Sequence, residues 1–492
     1  MDEEATRPSH QLNMLEGGIF GKMCKVAIPI ALMSTLQQLF NATDMAVAGR
    51  FASSNAMAAV GSNAPVINIV VMLFTGLSIG SNVLIAGLVG AGKKERVNAA
   101  MHTGFSVALI SGLIMLTVGC LIAKPILGLL DTPASIMPLA VSYLKLYFLG
   151  MPFLMIYDFG NAVLRAVGDT KRPLFCLMFS GMVNVVLNLI LVIGFQMSSD
   201  GTAIATTIAN AVSAALIYRL LVKETGMLHF DWKKLALNRT YLKRIIAIGG
   251  PAGLQGMIFS VSNIVIQAAI NHFGAACVAG NSAGLNFEYI SYFFVNGFAQ
   301  ATVTFISQNY AAHQYQRCRR IARVAMVSAI LFTTIVSSAF YLFRYPLVDD
   351  IFSTNPAVVH YAIIRITFIA LLEPLTATYE IAGGQSARNW SLNGTSRYYA
   401  GRLLHFAGCL YCCHAATFHE LYSSSTDLSG YLDYYWNGSN AFIWSSNAQS
   451  LRNRESNSDS QFWDAIDASS LINSLCPILF RSELGFLFEA NP

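Results

Sequence analysis

Charge is what this 492-residue sequence has least of: 12% of its residues are charged, against roughly a quarter in soluble domains. That scarcity excludes an ordinary soluble fold, whose surface would need more. A disulfide framework is missing too. Cys24, Cys120, Cys176, Cys277 and Cys318 stand singly in apolar or loop sequence and read as small hydrophobes. Residues 1–16 are polar and lack the apolar core of a signal peptide. No Gly-Lys-Ser/Thr phosphate loop and no nucleophile constellation occur, which argues against an enzyme. The net charge of +5 is spread over alternate loops, which argues against nucleic acid as a partner.

What the chain has in abundance is long apolar runs. They alternate with short polar breaks from Met23 to about Gly383. A run of about 20 residues spans the hydrocarbon core of a bilayer as a helix. The pattern predicts spans near Met23–Ala48, Asn63–Gly87, Thr103–Leu127, Pro138–Leu164, Leu174–Phe195, Gly201–Val222, Tyr241–Phe273, Cys277–Ser307, Ile321–Phe343 and Val358–Gly383. The fold class is therefore all-α, a polytopic membrane protein. Lys93, Lys94 and Arg96, then Arg165, Lys171 and Arg172, then Lys223, Lys233, Lys234 and Arg239, then Arg317, Arg319, Arg320 and Arg323 fall in alternate loops. The positive-inside rule places these loops and the N-terminus in the cytoplasm.

The loop 223–240 divides six spans (1–222) from about four (241–384). The two parts begin alike. Ala27-Ile28-Pro29-Ile30-Ala31-Leu32 resembles Gly249-Gly250-Pro251-Ala252-Gly253-Leu254, and Asn41 falls opposite Asn263. Leu88-Val89-Gly90-Ala91-Gly92-Lys93 resembles Gln308-Asn309-Tyr310-Ala311-Ala312-His313. An even number of spans separates the copies, so both enter the membrane in the same direction. Parallel repeats about an axis along the membrane normal are a transporter signature.

At these residues the chain resembles the multidrug and toxic compound extrusion (MATE) family. Asn41-Ala42-Thr43-Asp44-Met45-Ala46-Val47-Ala48-Gly49-Arg50 is similar to the end of that family's first helix. Leu164-Arg165-Ala166-Val167-Gly168-Asp169-Thr170-Lys171-Arg172-Pro173 is similar to its loop between helices four and five. Asn281-Ser282-Ala283-Gly284 and Ser307-Gln308-Asn309-Tyr310 are similar to its second-half motifs. The resemblance implies two six-helix lobes and export of drugs or other amphiphilic, often cationic, organic compounds. It implies antiport against protons or sodium across the cytoplasmic membrane by alternating access. The chain is expected to work as a monomer in the lipid bilayer, with no cofactor and no bound metal.

Asp44 is the sharpest site residue. A carboxylate deep in a membrane helix is costly and persists with a function or a partner. By resemblance it is the first-lobe coupling acid, with Asn41 one turn earlier. Asn184 and Asn188 share a helix face. Many family members have Asp at the second position, and Asn188 cannot titrate. The pair either coordinates an ion with Asp44 or joins helices as amide glue. Glu288, in Asn286-Phe287-Glu288-Tyr289, either meets substrate and protons or is a salt-bridged bundle residue. Asp158 faces the lobe interior or approaches the interface, and Glu373 and Glu380 are possible second-lobe acids. A related reading, a lipid-linked saccharide flippase, would want a cationic cavity, and these helices carry almost no Arg or Lys.

After Gly384 the periodicity stops and the sequence turns polar; four of the five Trp lie there. Shifted by one base, Leu432-Asp433-Tyr434-Tyr435-Trp436 can encode Trp, three Ile or Thr, and Gly. Residues 385–492 thus read as a frameshifted tail that replaces two helices, expected to be disordered and to leave a truncated, inactive family member or a partial lobe. The other reading is a genuine cytoplasmic extension. Cys409, Cys412, Cys413, His414 and His419 have metal-like spacing, but no second Cys pair supports a zinc site.

Overall fold

Each apolar run folds as a helix because lipid offers no hydrogen bonds to a bare backbone. A computed structural model describes residues 11–130, 132–224, 226–271, 274–351 and 355–389; the tail beyond Asn389, with its Cys and His residues, lies outside them. Twelve α-helices and no strand occur among the described residues. They are α1 (Ile19–Val47), α2 (Ser54–Gly90), α3 (Lys94–Leu129), α4 (Met137–Leu149), α5 (Met151–Ala166), α6 (Lys171–Asn188), α7 (Ser198–Lys223), α8 (Arg239–Asn271), α9 (Ala275–Ala311), α10 (Tyr315–Leu342), α11 (Arg344–Ile351) and α12 (Pro356–Asn389).

Eight of these stretches are long and apolar enough to cross a membrane, and α4 with α5 makes a ninth, bent by 44°. Gly150 sits at that bend and Pro152 follows it. A proline lacks the N–H for an i−4 bond and its ring crowds the carbonyl there, so the helix breaks. α9 supplies the tenth expected crossing. It is too rich in Asn, Gln, Ser and Thr to qualify on hydropathy, and it runs among α1, α2, α10 and α12. The last expected span reaches further than Gly383, since α12 continues to Asn389.

The two lobes meet through very close backbone approach. A Cβ on Gly76 of α2 would lie 2.7 Å from the Gly249 carbonyl oxygen and 2.2 Å from the Gly253 nitrogen of α8. A Cβ on Gly297 of α9 would lie 2.6 Å from the Ala27 carbonyl oxygen and 3.1 Å from the Ala31 nitrogen of α1. These are the same contact made twice. Ala27 and Ala31 are the repeat equivalents of Gly249 and Gly253, and the spacing from Gly76 to Gly297 matches the spacing of the repeat. A two-fold relation between lobes requires that α1–α9 and α2–α8 contacts come as a pair. Only small residues allow this approach in lipid, where dispersion packing holds helices together.

Hydrogen bonds tie the lobes at the end bearing Lys93, Lys94 and Lys171, here called the basic end. Gln308 Nε2 donates to the Ala166 carbonyl at 2.7 Å. Thr304 Oγ1 donates to Asn82 Oδ1 at 2.9 Å, and Asn82 Nδ2 donates to the Ala162 carbonyl. Residues 11–17 lie across this end. Leu12 N–H donates to the Val167 carbonyl, Asn309 Nδ2 to the Met14 carbonyl, and the Arg317 guanidinium to the Glu16 and Gly17 carbonyls. Gly168 accommodates this segment at φ +83°, where a Cβ would lie 2.6 Å from Leu12 Cβ. The inter-lobe loop is held by the first lobe: Asn98 Nδ2 donates to the His229 carbonyl, and Arg172 bridges Asp169 and Glu224. Phe230 stacks on His102 with centroids 5.0 Å apart.

A Gly76→Leu substitution should therefore force α2 and α8 apart, at an overpacking cost of about 1–3 kcal/mol to this arrangement. In a cysteine-free background carrying Ala166→Cys and Gln308→Cys, disulfide crosslinking across the basic end should drop severalfold. Unchanged crosslinking would show that the glycine crossing does not hold the lobes together.

Candidate functional site

Asp44 lies near the end of α1 and is 3% exposed. α1 packs on α6, and α6 on α7, which brings three helices to this carboxylate. Asn188 Nδ2 donates to Asp44 Oδ1 at 2.5 Å, and Thr206 Oγ1 of α7 donates to Asp44 Oδ2 at 2.8 Å. The same Asn188 amide reaches Asn184 Oδ1 at 3.1 Å, and Asn184 Nδ2 donates to Thr206 Oγ1 at 3.2 Å. The four side chains close a ring. Both helices lose their regular winding beside it: α1 runs into a π-helical turn over Ala48–Ala52 and α6 into another over Leu189–Gly194. Wide turns of this kind recur at functional sites because they re-aim side chains and loosen the i−4 ladder. The two π turns touch each other.

The ring has two chemical properties. Its ligands are all hard oxygens: a carboxylate, two amide carbonyls and a hydroxyl. It also has no cation of its own, because no basic side chain pairs with Asp44 among the described residues. Neutral donors alone satisfy the carboxylate, and Asn188 Oδ1 is buried with no hydrogen-bond partner. An orphaned carbonyl beside an uncompensated carboxylate fits a small hard cation or a proton. Among the described residues no cluster of three His, Cys, Asp or Glu could hold a transition metal.

Of the other expected site residues, Asn41 is exposed and stands outside the ring. Asp158 is half-buried on α5, within electrostatic range of Arg165. Arg165 is not a loop residue: it is 6% exposed at the end of α5 and donates to Gln300 of α9, across the lobe boundary. Glu288 is ion-paired with Arg365. The Arg365 guanidinium of α12 donates to Glu288 Oε2 at 2.5 and 2.9 Å and also to Asn281 Oδ1. Glu373 is buried beside Thr376, and Tyr292 donates to Glu380 at 3.0 Å. Sequence reasoning missed Thr206 and Arg365. Arg365 could have been found as a lone cation inside an apolar run. Nothing local distinguishes Thr206 from Thr207 beside it, whose hydroxyl bonds the Leu146 carbonyl instead.

Eight helices long and apolar enough to cross a membrane, a ninth such span bent by 44°, and a carboxylate buried among them define the class as a polytopic membrane transporter. The profile of the MatE family matches residues 29–190 and 251–386, more than half of the chain. The chain belongs to the MATE family of efflux transporters, whose members are transporters rather than enzymes. It is 25% identical over 340 residues to the probable multidrug resistance protein YoeA of Bacillus subtilis, covering 67% of this chain and 73% of that protein. It is 27% identical over 315 residues to the FAD transporter of Shewanella oneidensis, covering 63% and 69%. It is 24% identical over 360 residues to the multidrug export protein MepA of Staphylococcus aureus, covering 72% and 78%. Among solved structures, an outward-facing multidrug resistance MATE transporter of the MOP superfamily superposes with a TM-score of 0.70 at 21% identity, over 77% of this chain and 85% of that one.

Removing one partner of a buried ion pair leaves an uncompensated charge, which costs about 3–5 kcal/mol. Arg365→Met should lower the melting temperature of the purified protein markedly, and adding Glu288→Gln should restore most of the loss. A single Glu288→Gln that abolishes transport while the protein stays folded would instead make Glu288 a coupling group.

Proposed function

We propose that this chain exports drugs or other amphiphilic organic compounds from the cytoplasm in exchange for entering protons or sodium. The single observation that carries this reading is Asp44: a buried carboxylate held by two neutral side chains, Asn188 and Thr206, with no basic partner among the described residues. Ionised, it pulls in a cation; neutralised, it relaxes its hold on Asn188 and Thr206. The lobes then have two states of the ring to distinguish, which is what coupling needs. The gathering of the basic loops at one end supports a cytoplasmic position for that end and the N-terminus in the cell's inner membrane. Substrate would bind between the lobes near the midplane and be carried by their rocking. Names among the relatives support a drug-like cargo: YoeA and MepA are multidrug proteins, whereas the Shewanella oneidensis relative is an FAD transporter. The flippase reading loses ground, since each of the two buried guanidiniums among the described residues has a partner within the protein, Glu288 for Arg365 and Gln300 for Arg165.

Proteoliposomes test the reading. Under an imposed proton or sodium gradient, the wild-type chain should drive export of a cationic dye. Asp44→Asn keeps the size and the ring but cannot ionise, so coupled export should fall to background while the protein remains inserted. Thr206→Val removes one donor and should slow export about tenfold, the worth of one hydrogen bond to a charge. Wild-type rates in Asp44→Asn would defeat the proposal. Dependence on sodium at fixed pH, or on pH without sodium, names the ion.

A further inference from the structure

The short segment ahead of α1 is bonded to both lobes at once. Its course is set locally. Asn13 Oδ1 accepts from the Leu15 N–H at 3.1 Å, a side-chain turn that Asn favours, and Gly17 takes φ +69°, which suits glycine. On the first lobe, Leu12 N–H donates to the Val167 carbonyl at 3.0 Å. The Met14 side chain is fully buried, and its Cε would lie 2.8 Å from a Cβ on Gly168. Lys22 Nζ of α1 donates to the Asn13 and Glu16 carbonyls at 2.7 and 2.9 Å. On the second lobe, Asn309 Nδ2 of α9 donates to the Met14 carbonyl at 3.1 Å. The Arg317 guanidinium of α10 donates to the carbonyls of Met14 at 3.4 Å, Glu16 at 2.9 Å and Gly17 at 3.0 Å.

These two sets of holds are not equivalent. The segment runs on into α1, and Lys22 and the seat of Met14 bind it to the same lobe, so it travels with the first lobe. Asn309 and Arg317 grip it from the other. Rocking that parts the lobes at the basic end must break that grip. Glu16 and Gly17 are exposed, so water is at hand to replace the bonds they lose. Met14 has no such substitute, because leaving its seat would return apolar surface to water. We propose that residues 11–17 are a strap that holds the basic end shut, with Arg317 and Asn309 as its catch on the second lobe. Each opening of that end releases the catch and leaves Met14 seated. The proposal rests on the rocking of the lobes in the transport reading, and on neither the ion nor the cargo.

The test measures the opening directly. Lys171 and Gln316 are exposed at the basic end, one on each lobe. Nitroxide labels at Lys171→Cys and Gln316→Cys, in a background without other cysteines, give their distance by pulsed electron resonance on the full chain in nanodiscs. Arg317→Met keeps the aliphatic stem and removes the catch. The ratio of long to short distances should rise about tenfold, the worth of hydrogen bonding to one charge. Met14→Gly loosens the other anchorage and should shift the ratio the same way. Removing a positive charge would by itself lessen repulsion among the basic side chains and favour closure, so the sign of the shift separates the catch from the field. An unchanged or shortened distance in Arg317→Met would overturn the proposal. So would a lower melting temperature with no change in distance, which would make the segment a brace for the fold. Should Met14→Gly fail to insert, Arg317→Met decides alone. If the wild type exports dye while Arg317→Met leaves the distance unchanged, the strap fails and the transport reading stands. If the distance lengthens but the wild type exports nothing, the transport reading fails and the strap stands.

Discussion

Contact between backbones at the lobe boundary is the constraint on which the rest depends. Gly76 against Gly249 and Gly253, and Gly297 against Ala27 and Ala31, let four helices cross with almost no side chain between them. In lipid there is no hydrophobic gain from bringing two apolar helices together, so their attraction is the sum of many short contacts. Such an interface is strong at close range and falls off steeply once the helices separate. On the proposed mechanism, that steepness suits an interface that holds at one end and then releases. The polar bonds around it include those from Gln308, Thr304 and Asn309, and water could replace each one if the basic end opened as proposed.

α1 connects this boundary to the site. Ala27 and Ala31 sit on its basic-end half, and Asp44 lies 13 residues beyond Ala31, about 20 Å along the axis. Between the ends the helix is not uniform. Pro29 deprives the Lys25 carbonyl of its N–H partner, and Thr170 Oγ1 takes the place at 3.4 Å. Beyond Asp44 the π turn Ala48–Ala52 widens the winding. On the proposed mechanism, a change in charge at Asp44 alters the grip of α6 and α7 on one end of α1. The other end is pressed against Gly297. The helix is a continuous physical connection between the two, and its two irregular turns are the places where it can bend or rewind.

Much of this was legible in the sequence, and the exceptions have physical causes. The crossings could be read because apolar length is a one-dimensional property. α9 was read too, although its hydropathy is lower, because its run is still long enough for a span. The broken fourth crossing was missed, since Gly150 and Pro152 look alike in a straight or a bent helix until neighbours choose. Asp44, Asn184 and Asn188 were legible because intramembrane polar groups are expensive and must have a reason. Thr206 was not, because a hydroxyl can satisfy itself on its own helix and therefore carries no such signal. Arg165 was read as a loop cation from its place in a polar run; its burial depends on Gln300, 135 residues away.

The repeat preserves scaffold and discards chemistry. Glycine or alanine recurs at each of the crossing positions, yet Ile266 stands where the second copy would place a counterpart of Asp44. Two-fold scaffold symmetry has a mechanical reason. If the lobes are to pack equally well when rocked either way, the surfaces on which they roll must match. A coupling charge has no such requirement, because one group that is occupied or empty already gives the machine two states. The second lobe carries its own buried charges, but Glu288 is committed to Arg365, and the two together keep α9 and α12 joined. In that lobe an ion pair supplies cohesion where the first has an uncompensated carboxylate. A charge that is satisfied stabilises a lobe, and a charge that is not gives the lobe something to respond to.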